Sequence, residues 1–433
     1  MVSSVKQLFD RQSEACNFFK DVQSKGFNTL DTSDAGTGKT VVAAHLASSS
    51  KRPVAVLCPK QVIPAWEREL ADAEVEPLFV LNYEKIRTGR TKWMTKKGKM
   101  LMTWHLPADV IILADEIHKC KGPYTQNCQL IVSLVDQGFS VHGMSATAAE
   151  DPTEMRSLGY MLRLHSLQKA TEGKKNWYSW MKQYGCDQDF WGKWYLKTRS
   201  SLAQLKPQLY GVSTERLAVA DLPDAFRENR IFIEPIEFKN LAKIKSAYKD
   251  LGITPEILKE YIETGSVEHS DHVVVNIMKA RALSEILKVP DIVEMAEDLI
   301  LEGISVVIFV SFRATVEALC TKLGCGAIEG GRKDRQQVID DFCSDRTHCV
   351  VVNTAAGGTG ISLHDTRGER PRASLISPQW SAKDHIQVLG RIHRNGMKSD
   401  ALQKILVAND SVEEVVMESM QRRLSNLDCM NSR

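Results

Sequence analysis

A glycine-rich loop set between an apolar run and a helix-forming run constrains this chain more than any other feature. Asp34-Ala35-Gly36-Thr37-Gly38-Lys39-Thr40 reads as strand, then loop, then helix. Gly36 and Gly38 let the backbone curl so that its N–H groups face a phosphate, and the helix N-terminus adds the positive end of its dipole. Lys39 is placed to reach the β- and γ-phosphates, and the Thr40 hydroxyl to sit on Mg²⁺. Ser33 stands where the strict form of this loop begins with glycine. A second motif, Asp115-Glu116-Ile117-His118, follows Val110-Ile-Ile-Leu-Ala114, a buried strand by composition. Asp115 is suited to hold Mg²⁺ through its shell, and Glu116 to orient or deprotonate an attacking water. The two motifs in this order predict an ATPase, with ATP and Mg²⁺ as cofactors.

The rest of such a site is legible late in the chain. Asn353-Thr354-Ala-Ala-Gly357-Gly358-Thr359-Gly360 follows the strand-like His348-Cys-Val-Val-Val352. Asp384, Gln387, Arg391 and Arg394 then recur at spacings of three, four and three, which places them on one face if the segment is helical. Two guanidinium groups on one face suit the charge that develops on a transferring γ-phosphate.

Apolar runs at Val54–Leu57, Leu78–Leu81, Val110–Leu113 and Ser140–His142 alternate with helical stretches, and a second set follows at 304–310, 350–352, 374–376 and 404–407. That rhythm predicts two parallel sheets in an α/β chain. About 155 residues with helical patterning separate the sets, too many for a linker.

The motifs together resemble those of superfamily 2 helicases and translocases, most closely the Swi/Snf-type (DExH) ATPases. Phe9-Asp-Arg-Gln12 resembles an adenine-reading glutamine motif. Leu57-Cys-Pro59 through Trp66-Glu-Arg-Glu69 resembles motif Ia, and Asn82-Tyr-Glu84 a short Tyr-Glu motif. Asp115 to Lys121 resembles Asp-Glu-x-His-x-x-Lys, while Gly357–Gly360 and Gln387–Gly396 resemble motifs V and VI. Ser145-Ala-Thr147 replaces the usual Thr-Gly-Thr-Pro, only Arg216 remains of an expected Arg-Arg-x-Lys, and Ser377-Pro-Gln-Trp380 lacks its leading Asp. This hybrid is nearer to compact phage-encoded and annealing-helicase forms than to a nucleosome remodeller.

The resemblance implies two tandem RecA-like lobes with helical protrusions between them and ATP in an interlobe cleft. The expected divisions are a first lobe at 1–155 and its protrusion at 156–225. A linker strand and second protrusion follow at 226–300, then a second lobe with a closing helix at 301–433. Gln12, Asp34–Thr40, Gly360 and Gln387 are then ATP-binding, and Lys39, Asp115, Glu116, Arg391 and Arg394 catalytic. Thr40 and Asp115 hold the metal, and His118, Ser145 and Thr147 couple hydrolysis to movement. Lys60, Asn353, Thr354, Gly357 and Trp380 join Lys92, Lys96, Lys97 and Lys99 as expected nucleic-acid contacts.

The chain has 433 residues, is 43% hydrophobic and carries a formal charge of +2, so it is globular, and nucleic acid must be met by local patches. One patch runs from Lys85 to Lys99, with seven basic residues and no acid; it reads as a phosphate contact or as a solvated hairpin. Another holds four of the eight tryptophans, Trp177, Trp180, Trp191 and Trp194, among lysines; it reads as core packing or as a surface for unpaired bases. The ten cysteines include no C-x-x-C and read as reduced thiols of a soluble intracellular protein, cytoplasmic or, in a eukaryote, nuclear. No secretory signal and no apolar run long enough to span a membrane is read. Three activities stay open. They are DNA translocation that remodels duplex or branched DNA, RNA unwinding by a DExH-type helicase, and a nucleotide-driven switch that remodels a protein.

Overall fold

A computed structural model describes residues 7–98, 101–167, 175–190, 192–233, 235–264, 271–354, 361–418 and 421. Its described residues fall into two compact units, one through Leu222 and one from Pro223 onward. Each is built on its own six-stranded sheet.

In the first unit the strands lie in the order Thr214–Glu215, Thr29–Asp31, Ser140–Met144, Ile111–Asp115, Val54–Cys58 and Phe79–Asn82. Every neighbouring pair is parallel. Val54–Cys58 is buried at all of its positions and Ile111–Asp115 at all but the last, which is why both read as unbroken apolar runs. Helix Lys39–Ser50 packs through Val42, Ala43, Ala44, Leu46 and Ala47, whose mostly small side chains admit a close approach to the sheet. An antiparallel hairpin, Met94–Lys97 with Leu101–Trp104, docks one face through buried Met94, Met102 and Trp104. The Trp104 indole N–H donates to Ser133 Oγ at 2.8 Å.

Between the strands at 140–144 and 214–215 the chain forms helices Arg156–Met161, Trp177–Gln183 and Leu202–Leu209, together with a small hairpin, Cys186–Gln188 with Trp194–Leu196. Trp177 and Trp180 are each 2% exposed and share a core with Met181, Tyr184, Leu202 and Leu205. Trp177→Ala is therefore expected to lower the unfolding free energy by about 3–5 kcal/mol through loss of packing and the cavity left behind. A urea titration reads this as a lower midpoint at constant slope. An unchanged midpoint would mean that the indole adds nothing to this core.

The second unit orders its strands as Asn229–Phe232, Ala401–Ile405, Arg372–Ile376, Ser305–Val310, Cys349–Asn353 and Gly326–Ile328, again all parallel. Ser305–Val310 is buried throughout. Arg372, inside a buried strand, is matched by Asp345 at 2.6 Å and stacks on Phe342, which satisfies a charge that burial alone would make costly. Helices Leu241–Lys249, Pro255–Thr264, Asp271–Leu287 and Val289–Leu301 precede its central strand. A buried pair, Lys288 with Glu413, ties the start of the last of these helices to the end of the described chain; Glu413 also accepts from Ser284 Oγ and from the Ala408 N–H.

Candidate active site

The glycine-rich loop joins strand Thr29–Asp31 to helix Lys39–Ser50. Gly36 and Gly38 have φ of 86° and 92°, the left-handed conformation that the loop requires. Gly38 is fixed twice over, because a Cβ there would come 2.6 Å from Gln12 Nε2. Gln12 itself is buried and braces the loop, its Nε2 donating to the Thr37 carbonyl at 2.7 Å while its Oε1 accepts from the Phe9 N–H at 3.0 Å. Thr37 Oγ1 donates to the Asp34 carbonyl at 2.8 Å, and Thr40 lies in the first turn of the helix.

Lys39 folds back on the loop and donates to the carbonyls of Ser33 at 2.6 Å and Asp34 at 2.9 Å. Burial lowers its pKa from the ordinary lysine value, against the opposing pull of Asp31, Glu116, Asp115 and Asp34. Asp34 is itself matched by Arg216, so the charges of Asp31, Glu116 and Asp115 act on the single Lys39 ammonium and negative charge is in excess near it.

Asp115 ends its strand with both carboxylate oxygens occupied. Trp66 Nε1 donates to Oδ2 at 2.9 Å and the Glu116 N–H to Oδ1 at 2.8 Å, while Tyr83 Oη donates to the Asp115 carbonyl at 2.7 Å. Burial, reinforced by the charge of Glu116, raises its pKa to about 6, although the Trp66 hydrogen bond and Lys39 favour the ionised form. Glu116 has φ of 50°, unusual for a residue with a side chain, and this bend turns the chain from the strand into the short turn Ile117–Cys120. It brings Glu116 Oε2 to 3.1 Å from His118 Nδ1. His118 Nδ1 is also 2.8 Å from Ser145 Oγ, which accepts from the Thr147 N–H at 3.2 Å. Glu116, His118, Ser145 and Thr147 thus form one polar chain running from the end of one strand to the end of the next.

Three partners of this site come from distant stretches of the sequence. Trp66 and Tyr83 converge on Asp115, and Arg216 forms an ion pair with Asp34, Nη2 to Oδ1 at 2.7 Å. The Val219 N–H donates to the other Asp34 oxygen at 3.0 Å, and the Leu217 N–H to Ser33 Oγ at 2.9 Å. Asp31, which the motifs do not single out, completes the surroundings of Lys39. Burial raises its pKa, and Lys39 and Ser33 pull it back. A buried acid immediately before a glycine-rich loop is the signal that would have marked it.

Within the second unit, helix Ala382–Leu389 carries Asp384 and Gln387 but stops before the arginines. The single helical face expected over 384–394 is therefore not formed. The Arg391 carbonyl accepts instead from the Leu363 N–H at 2.9 Å, and that tie turns the chain. The arginines still converge, since Arg391 Nη1 and Arg394 Nη1 each donate to the Ile361 carbonyl at 3.1 Å, and Arg394 also to Ser362 Oγ at 2.7 Å. Burial, then the charges of Arg394 and Arg372, hold the neighbouring His364 down to about 4.

The expected nucleic-acid contacts are dispersed. Lys60 is exposed and opens the turn after strand Val54–Cys58. Lys92 and Lys97 are exposed on the 94–104 hairpin and its approach, with Lys92 Nζ 4.4 Å from the centroid of Trp93, whereas Lys96 donates to Gln126 Oε1 at 2.7 Å. Asn353 is buried and donates to the Ser311 carbonyl at 3.2 Å, and Thr354 follows it. Trp380 has Arg281 4.9 Å from its ring centroid and makes an edge contact with Tyr261 at 5.9 Å. Gly357, Gly360, Lys99 and Trp191 lie outside the described residues. No cluster of three or more His, Cys, Asp or Glu side chains placed to hold a metal occurs among the described residues, nor any helix long and apolar enough to cross a membrane.

Comparison with known proteins follows the same lines. The helicase conserved C-terminal domain matches residues 288–396. A protein of Acanthamoeba polyphaga mimivirus, provisionally named an ATP-dependent RNA helicase, is 30% identical over 455 residues, spanning 98% of this chain and 84% of that protein. The chromatin remodeling factor mit1 of Schizosaccharomyces pombe is 31% identical over 93 residues, 21% of this chain but 6% of the yeast protein. Among solved structures, the SWI2/SNF2 ATPase core of Sulfolobus solfataricus in complex with dsDNA aligns over 99% of this chain and 97% of its own, at 14% identity and a TM-score of 0.40.

Proposed function

Because the chain belongs to the Swi/Snf-type superfamily 2 helicases, which are nucleic-acid-stimulated ATPases, we propose that it is an ATP-dependent DNA translocase acting on duplex or branched DNA. The observation that carries this reading is the run of interacting groups from Lys39 through Asp115 and Glu116 to His118, Ser145 and Thr147. It links a phosphate-binding loop to the ends of three neighbouring strands, by charge from Lys39 to Asp115 and Glu116 and by polar contacts from Glu116 through His118 to Ser145 and Thr147, so a change at the nucleotide has a route to the end of Ser140–Met144.

In this reading Lys39 exchanges its two loop carbonyls for the β- and γ-phosphates, so no new charge has to be buried on the lysine when ATP arrives. The excess carboxylate around Lys39 and the raised pKa of Asp115 fit a divalent cation beside them, with Thr40 and Asp115 as the residues that hold Mg²⁺. When bound, that ion neutralises phosphate charge. Glu116 orients the attacking water, and His118 fixes the Glu116 carboxylate through its ring nitrogen. Arg391 and Arg394 stabilise the transferring phosphoryl group. Lys60, Lys92 and Lys97 offer phosphate contacts that position a strand without reading its bases.

The resemblance of Trp66 and Lys121 to the Swi/Snf pattern, together with the chromatin remodelling relative, favours DNA. RNA unwinding is the second reading, supported by the name of the mimivirus relative. ATPase rates measured with no polymer, single-stranded DNA, duplex DNA, forked DNA and RNA separate the two. Stimulation by DNA is expected. Stimulation by RNA alone would replace the DNA reading with the second, and no stimulation by any polymer would overturn both.

A further inference from the structure

The first unit carries an aromatic surface that plays no part in holding ATP. Trp177 and Trp180 are core residues, and the rings that reach solvent near them are others. Tyr124 is 68% exposed, Tyr178 40% and Phe190 93%. Tyr124 and Tyr178 are joined through their hydroxyls at 3.2 Å, and the Tyr178 ring lies 5.8 Å from that of half-buried Trp194 on the 186–196 hairpin. Trp177 backs the row, its ring 5.1 Å from Tyr178 and 6.4 Å from Tyr124. Phe190 sits in the turn of the same hairpin.

This surface is firmly mounted. The hairpin is tied at its base by the Lys197 N–H donating to the Gly185 carbonyl at 2.8 Å. Gly185 has φ of 81°, and a Cβ there would lie 2.4 Å from the Thr198 carbonyl oxygen, so its backbone admits little else. The turn is closed by Asp189, whose N–H donates to the Lys193 carbonyl at 2.9 Å and whose Oδ1 accepts from the Lys193 N–H at 2.7 Å.

Cations flank the rings. Arg156 lies 6.0 Å from the centroids of both Tyr124 and Trp177, and Lys182 lies 5.9 Å from that of Trp194. The carboxylates of the hairpin are engaged, Asp187 with Lys197 at 2.7 Å and Asp189 in closing the turn. Stacking rings beside positive charge match a chain of flat bases joined by phosphates. A duplex keeps its base faces stacked inside and offers nothing to such a row. We propose that Tyr124, Tyr178 and Trp194 form a stacking platform for unpaired nucleotides. The proposal rests on the nucleic-acid reading above and goes beyond it, because it assigns the first unit a contact specific to single strands.

Fluorescence anisotropy with a labelled oligo(dT) and with a blunt duplex, in one buffer, tests it. Tyr124→Ala and Tyr178→Ala, singly and together, are expected to weaken oligo(dT) binding by roughly 5- to 160-fold for each stacked base lost. Duplex affinity should hold, and Tyr178→Phe, which keeps the ring, should bind oligo(dT) like the parent protein. Oligo(dT) affinity unchanged in the double variant would overturn the platform and leave the surface to a protein partner. Equal losses on both polymers would overturn it as well, because the rings would then be supporting the fold. A parent protein that binds neither polymer would overturn the nucleic-acid reading along with it.

Discussion

Lys39→Ala is expected to abolish ATP hydrolysis while leaving the first unit folded. The Lys39 ammonium contacts only loop carbonyls among its described hydrogen bonds, so its loss removes phosphate charge stabilisation and little packing. Circular dichroism should match that of the parent protein, the thermal melt should fall only as far as buried Asp31 and Asp115 lose a compensating charge, and steady-state ATPase assays should show no turnover above background. A folded variant with full activity would remove Lys39 from the site and, with it, the role assigned to the glycine-rich loop.

Arg391→Lys and Arg394→Lys are the second pair of large effects. A lysine cannot reproduce the planar fork of a guanidinium, and arginine fingers are worth roughly 10³–10⁵ in rate in phosphoryl-transfer enzymes. The two arginines share the Ile361 carbonyl, so each single variant is expected to lose less than that range and the double variant to reach it. The loss should fall on kcat, with ATP affinity nearly retained, because the groups act on charge that develops in the transition state. Single-turnover rates unchanged in the double variant would exclude both arginines from the chemistry.

Much of the architecture was legible because it is written locally. Val54–Cys58, Ile111–Asp115, Ser305–Val310 and Cys349–Asn353 are covered on both faces, so their burial appears as continuous apolar sequence. Thr214–Glu215 was not legible because a two-residue edge strand carries no periodicity, and the mostly exposed Asn229–Phe232 shows no apolar run of its own, so a strand in 226–300 was expected only from the family resemblance. The 186–196 hairpin lies in a stretch whose aromatic and basic content masks any alternation. In the candidate site, the adjacency of Asp115, Glu116 and His118 follows from their positions in one turn. The approach of Trp66, Tyr83 and Arg216 does not, because no spacing encodes contacts between distant parts of the chain. The arginines show a further limit. A regular spacing predicted a helical face, whereas a backbone tie from Leu363 to Arg391 turns the chain beyond the helix end and reaches a similar convergence.

The Asp34–Arg216 pair has a consequence for how the protein is made. Its partners are 182 residues apart, and the strand just before Arg216 closes the edge of the sheet from which the glycine-rich loop emerges. A ribosome adding about 5–20 residues per second needs roughly 10–40 s to cover that distance. Throughout that interval the nascent loop has neither its ion pair nor its edge strand. The nucleotide site is therefore among the last parts of the first unit to mature, and a chain released early, before residue 216, carries every residue of the loop without the clamp that shapes it.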